Sequence, residues 1–201
     1  MITLCMDTSQ AFLVLALMEG DTLLDSVQET CWKRQSEELF PRLIDLLKKH
    51  GLSASDIGQI VITKGPGSYT GVRIAMTVAK VFCAMNEIPL FTLGSLQLIA
   101  GMEEDVHVLM DARGHRAYHA EYRSGILQGE VEALDLDVLK EMLSDEDRVL
   151  GDGHLIGRED AWPNLAENFV SLKALWQPVE QVHLLTPDYL KPNESYLVKK
   201  K

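Results

Sequence analysis

The sequence predicts an α/β protein in two halves, each a mixed sheet with helices packed on it. Three observations carry this. Apolar runs at Ile2 to Met6, FLVLALM and Thr22 to Glu29 are separated by turn signals and read as consecutive antiparallel strands. From Ser36 helical and strand patterns alternate, giving the order β-β-β-α-β-α-β, which implies a mixed sheet with helices laid on it. After Glu103-Glu104-Asp105 the same layering restarts with VHVLMD on a smaller scale. The halves are therefore 1–103 and 104–201, and with no low-complexity linker between them they are expected to pack rigidly.

The first strand ends in Asp7-Thr8-Ser9, a carboxylate and two hydroxyls at the mouth of a turn. Such a group either meets a metal-bound nucleotide or caps the turn through Asx-type hydrogen bonds. Glu19-Gly20-Asp21 turns the second strand into the third. Ser36 to His50 reads as a helix: Leu39, Leu43, Leu46 and Leu47 share a face, Ser36 is the expected N-cap, and Gly51 ends it. Ile60, Val61 and Ile62 are β-branched and continuous, which suits a strand buried on both faces. Gly65-Pro66-Gly67 breaks that strand. Ser68 or Thr70 can then accept a hydrogen bond from the free N–H groups of the next helix, and Gly71 lets that helix start close to the strand. The loop fits neither G-x-G-x-x-G nor G-x-x-x-x-G-K-[ST]. Asp7, Gly65, Gly67, Ser68, Thr70 and Gly71 thus stay open between a tight structural turn and a nucleotide or anion loop.

From Val72 to Met85 apolar side chains go all the way round a helix, relieved only by Arg73, Thr77 and Lys80. Such a helix must be covered on more than one side, as a central core helix or as a subunit interface. Ala75, Ala79 and Cys83 form a small-residue row that another helix can approach, and Met76 adds adaptable surface. Arg73, taken as a first-turn cation, opposes the helix dipole and favours a compensating partner or anion. The expected interface is therefore Arg73, Ala75, Met76, Ala79, Lys80 and Cys83.

Pro89 to Leu93 reads as a parallel strand, and Gly94 to Gly101 as a short helix burying Leu96 and Ile99. VHVLMD, the turn Ala112-Arg113-Gly114 and AYHAEYR make a hairpin. Glu130 to Leu134 adds a strand, Asp135 to Leu143 an amphipathic helix, Arg148 to Leu150 a strand, and Gly151-Asp152-Gly153 a loop. From Pro178 the chain is loop-rich and closes with Asp188-Tyr189-Leu190-Lys191.

Cys5, Cys31 and Cys83 are far apart in apolar surroundings and read as reduced core residues of a cytoplasmic protein. No signal-peptide or membrane-spanning apolar run is present in the sequence. A net charge of -11 disfavours non-specific adhesion to nucleic acid, and the Lys199-Lys200-Lys201 tail reads as a solvated end. His115 and His119 form H-x-x-x-H, but the alternating pattern puts them on a strand, about 13 Å apart, too far to share one ion. They read as surface histidines. No G-x-S-x-G supports a serine hydrolase.

At Asp7-Thr8-Ser9, GPGSYTGVRI, MDARGHRAY and the terminal P-x-Y-L-[KR], the chain resembles the TsaB (YeaZ) family over nearly its whole length. The resemblance implies an actin-like, sugar-kinase-like two-lobed fold with a short second lobe. It implies a role in placing threonylcarbamoyl on the adenosine next to the tRNA anticodon, as a subunit that is not the catalyst. The implied partners are the catalytic subunit TsaD and the ATPase TsaE, with a homodimer when alone and tRNA met only indirectly. TsaD carries a metal-binding histidine pair after the strand equivalent to Pro89 to Leu93, where this chain has Ser95 and Ile99, so no metal is expected, while nucleotide binding at Asp7 and the glycine loop stays open. The alternative is a small nucleotide-dependent phosphotransferase using Asp7 and the loop from Gly65 to Gly71.

Overall fold

The computed structural model describes residues 1–31 and 33–190; Lys191 and the Lys199-Lys200-Lys201 tail lie outside the described residues. The strands are β1 (Ile2–Asp7), β2 (Phe12–Glu19), β3 (Thr22–Thr30), β4 (Ile57–Thr63), β5 (Leu90–Leu93), β6 (Val106–Asp111), β7 (Arg116–Arg123), β8 (Ile126–Asp135), β9 (Val149–Gly151) and β10 (Gln177–Pro178). The helices between them are α1 (Gln35–Lys49), α2 (Tyr69–Asn86), α3 (Ser95–Ala100), α4 (Leu136–Met142) and α5 (Leu165–Ser171).

The first sheet has the order β10-β5-β4-β1-β2-β3, with β1, β4 and β5 parallel and β2 and β3 returning antiparallel. The second has the order β8-β7-β6-β9, again an antiparallel meander followed by a strand parallel to its first member. One plan is thus used twice and cut short in the second lobe, the actin-like, sugar-kinase-like arrangement that the resemblance implies.

The continuous apolar strands follow from burial on both faces. Along β2, Leu13, Leu15 and Leu17 join the cluster beneath α1 and α2, while Val14, Ala16 and Met18 join the cluster between the sheets. β4 divides likewise, with Ile60 and Ile62 on one side and Val61 on the other. The cluster between the sheets also takes Leu96 and Ile99 of α3, Phe169 of α5, and Val108, Met110 and Tyr118 of the second sheet. One continuous core thereby joins the lobes. On the far side Leu109 and Ala117 pack with Leu136 and Leu139 of α4. Each fully buried Leu, Ile or Phe contributes about 1.5–3 kcal/mol relative to exposure.

The structure differs from the sequence expectations at several ends. α2 starts at Tyr69 rather than Val72, because the Ser68 hydroxyl caps it by accepting from the Gly71 N–H at 3.2 Å. In α1 Ser36 lies inside the helix; Arg34 is the N-cap and makes no side-chain cap hydrogen bond. The chain also does not stay with the second lobe to its end. β10 pairs with β5, and Val179, Val182 and Leu185 pack against the cluster beneath α2, so the segment after Trp176 rejoins the first lobe.

Candidate functional site

The turn after β1 and the glycine loop are built against each other. The Thr8 hydroxyl donates to the Gly71 carbonyl at 2.7 Å and accepts from the Ala75 N–H at 3.2 Å. The Ser68 N–H donates to the Ser9 carbonyl at 2.7 Å. A Cβ at Gly67 would lie 2.5 Å from the Ser9 carbonyl oxygen, and one at Gly71 would lie 2.1 Å from that of Thr8. These glycines are needed for close backbone contact. Asp7 is completely buried, and its carboxylate accepts from the Ser9 N–H at 3.0 Å, Gln10 Nε2 at 3.2 Å and the Thr63 hydroxyl. That is the turn-capping alternative for Asp7, with its acceptor capacity directed into the protein.

Between the lobes lies a cavity of about 430 Å³. Ser9, Gln10, Ser68 and Tyr69 form one side, and Asp111, Asp152, His154 and Trp162 are among those on the other. Its electrostatics are acidic and internally paired. Asp111 accepts from the Arg113 N–H and pairs with the Arg113 guanidinium at 2.9 Å. Asp152 accepts from the Asp111 N–H at 2.8 Å, and burial pushes its carboxyl above the usual range. His154 hydrogen-bonds to Asp160 at 2.7 Å, which raises its imidazole. Gly151 and Gly153 face backbone, with hypothetical Cβ atoms 2.1 Å from the Leu109 and Glu159 carbonyl oxygens. Thr70 lies outside this cavity, on the outer side of α2.

The expected interface row turns out to face inward. Ala75, Met76, Ala79 and Cys83 are buried in the cluster between α2 and the first sheet, and burial pushes the Cys83 thiol up to about 11. Small residues occur there because α2 approaches its own sheet closely. The outward side is Thr70, Arg73, Thr77, Val81 and Met85, the last two 55% and 78% exposed. Beside it, α1 exposes Phe40 at 52% and Ile44 at 47%. Between the helices runs an apolar groove of about 500 Å³, whose walls include Leu39, Phe40, Tyr69, Arg73, Ile74, Thr77 and Val78. Sequence reading missed Phe40 and Ile44, whereas Ile74 and Val78 fall within the apolar helix Val72 to Met85 that it singled out. The available signal was that Phe40 and Ile44 stand i, i+4 outside the Leu39/Leu43/Leu46/Leu47 face, so the core does not require them.

Both cations of α2 are held by the chain's own C-terminal segment. Arg73 Nε donates to the Tyr189 hydroxyl at 2.7 Å, and Lys80 Nζ donates to the carbonyls of His183 and Leu185 at 2.8 and 3.0 Å. Arg73 is the fifth residue of the observed helix, beyond the first turn where the dipole acts most strongly. The aromatic faces of Tyr69 and Tyr189 supply compensation within the chain, where a partner or an anion was expected. Ser95 and Ile99 are both buried, Ile99 completely and in the core between the sheets.

His115 precedes β7 in a turn, apart from His119, and His119 is only 8% exposed, a correction to the surface reading. The partner of His119 is His107 on β6, Nδ1 to Nε2 3.0 Å apart, a cross-strand pair that linear spacing does not display. Burial, and then His107, push the His119 imidazole down from 6.5 to about 4. The unfolded chain therefore binds a proton between those values that the folded chain does not. Stability should drop as the pH is lowered through that window, by roughly 3 kcal/mol in all. Urea unfolding from pH 7 to pH 4 should show this loss, and His119→Gln should remove it; equal slopes for the two proteins would refute the assignment. Two further groupings, His115 with Asp135 and Asp137, and Asp152 with His154 and Asp160, bring ligand-type atoms within 4.8 Å. Local pairs account for them, His115 to Asp137 at 3.4 Å and His154 to Asp160 at 2.7 Å. No helix among the described residues is long and apolar enough to cross a membrane.

A family model described as TsaD, tRNA N6-adenosine threonylcarbamoyltransferase, matches residues 27–161. The tRNA threonylcarbamoyladenosine biosynthesis protein TsaB of Bacillus subtilis is 30% identical, with 97% of this chain and 96% of that protein aligned. TsaB of Escherichia coli is also 30% identical, over 82% of this chain and 74% of that one. In fold the chain is similar to YeaZ from Pseudomonas aeruginosa, with a TM-score of 0.77, 24% identity and coverage of 94% and 99%.

Proposed function

The chain belongs to the TsaB (YeaZ) family, within the reach of the TsaD model, and has its role in tRNA threonylcarbamoyladenosine biosynthesis; from that premise we propose that it is a non-catalytic platform. It binds the catalytic subunit TsaD, together with the ATPase TsaE, through the outer side of α1 and α2, and meets tRNA only through them. Alone, it pairs with a second copy through the same side. The observation that carries this reading is the apolar groove between α1 and α2, where Phe40, Ile44, Val81 and Met85 are exposed on neighbouring helices. An exposed apolar surface of this kind marks an interaction site.

Asp7 and the loop glycines, which a nucleotide site would use, make internal contacts, and this supports a subunit without a metal or nucleotide of its own. Asp7 accepts from three internal donors, and the loop glycines are used in backbone contact. Ser95 and Ile99 are buried, and neither hydroxyl nor alkyl is a useful transition-metal ligand. The cavity between the lobes keeps the phosphotransferase alternative in view, but its cation Arg113 is paired with Asp111. A pull-down from lysate at physiological salt tests the platform. TsaD and TsaE should co-purify with the chain, and the isolated chain should not turn over ATP. Turnover of ATP by the isolated chain, with neither protein retained, would replace this reading by the phosphotransferase.

A further inference from the structure

Resting on that reading, we propose that Arg73 is a preformed receptor for a side-chain carboxylate of the subunit seated on the groove, and that the chain's own C-terminal segment builds it. The guanidinium carbon lies 4.1 Å from the Tyr69 ring centroid, and Nε donates to the Tyr189 hydroxyl at 2.7 Å. The Tyr189 ring stacks on Tyr69 with centroids 5.4 Å apart and planes at 21°. Asp188 fixes Tyr189 in place: its N–H donates to the Lys64 carbonyl at 2.7 Å, and its carboxylate pairs with Lys64 Nζ at 3.0 Å. Gly65, at φ 114°, is required beneath this segment, since a Cβ would sit 2.7 Å from the Asp188 carbonyl oxygen.

This clamp uses Nε and the π face of the guanidinium. Arg73 makes no further hydrogen bond or ion pair among the described residues, so its terminal amino groups remain for a ligand at an exposed part of the groove wall. A guanidinium fork matches a carboxylate in bidentate fashion, and one whose rotamer is already fixed loses less entropy on pairing. The apolar walls formed by Leu39, Phe40, Ile74 and Val78 suit protein side chains around that carboxylate. A nucleic-acid phosphate is disfavoured by the net charge of -11. Tyr189 is therefore a positioning residue, acting on the partner through Arg73.

Calorimetric titration of TsaD into four versions of the chain tests this: wild type, Tyr189→Ala, Tyr189→Phe, and Tyr189→Ala combined with Arg73→Ala. Tyr189→Ala should weaken binding about tenfold, and Tyr189→Phe, which keeps the stack and loses the acceptor, by about threefold. In the Arg73→Ala background, Tyr189→Ala should cost nothing more, a non-additivity that mere loosening of the segment would not produce. Wild-type affinity should fall with added salt, and that dependence should be shallower once Arg73 is removed. Undiminished binding by Tyr189→Ala, or losses that add across the two sites, would overturn this proposal alone. Failure of the wild type to bind at all would overturn the platform reading and this proposal with it.

Discussion

Ala79→Glu is expected to unfold the chain, whereas Thr77→Glu, on the same helix, is expected to leave it folded and unable to hold its partner. Ala79 has no exposed surface and lies in the cluster that α2 buries on the first sheet. A carboxylate forced in there has no counter-charge, and an unpaired buried charge costs several kcal/mol. That is comparable to the roughly 5–15 kcal/mol by which a domain of this kind is stable. Thr77 is exposed and lines the groove, so a carboxylate there stays hydrated in the free chain. Only when the groove is covered does the same charge become desolvated among apolar side chains, and the cost then falls on association, about a hundredfold or more in affinity. Circular dichroism during thermal unfolding reads the first effect, and sedimentation with and without TsaD reads the second. A stably folded Ala79→Glu would place that residue outside the core. A Thr77→Glu chain that binds normally would move the interface off this groove.

These paired substitutions also mark the limit of what linear pattern conveys. The strands were legible because burial on two faces leaves continuous apolar runs, as in Leu13 to Met18 and Ile60 to Ile62. The small residues Ala75, Ala79 and Cys83 were legible as a close-approach row, but a row does not say what approaches, and here it is the chain's own sheet. The outer face had to be found by subtraction: Phe40 and Ile44 are apolar residues left over once the core is filled, and Ile74 and Val78 pack on the edge of the core while lining the groove. Arg73 needed its partner, and that partner, Tyr189, is 116 residues away. The glycine loop had the same limitation. Gly65, Gly67 and Gly71 are dictated by the backbones of Asp188, Ser9 and Thr8, which only the folded chain brings over them. In each case the residue type was informative and the reason for it was spatial.

Arg73→Glu is expected to weaken the complex with TsaD without disturbing the fold. The side chain is exposed, and its neighbours Tyr69 and Tyr189 also stack directly on each other. Reversing the charge replaces an attraction to the proposed carboxylate by repulsion across a desolvated contact, worth about 2–5 kcal/mol. Threonylcarbamoyl transfer to tRNA, measured with the chain, TsaD and TsaE together, should fall in proportion to complex formed. Excess Arg73→Glu chain should then partly restore the rate, because a platform acts by occupancy and its loss is a loss of affinity. A residue that touches the reacting atoms behaves differently, lowering the rate even when every catalytic subunit is occupied. Sedimentation at the concentrations used for the assay separates the two cases. If the substituted chain fully saturates TsaD and transfer is still absent, Arg73 acts in the chemistry, and the platform reading gives way to one in which this chain handles a phosphate or nucleotide itself.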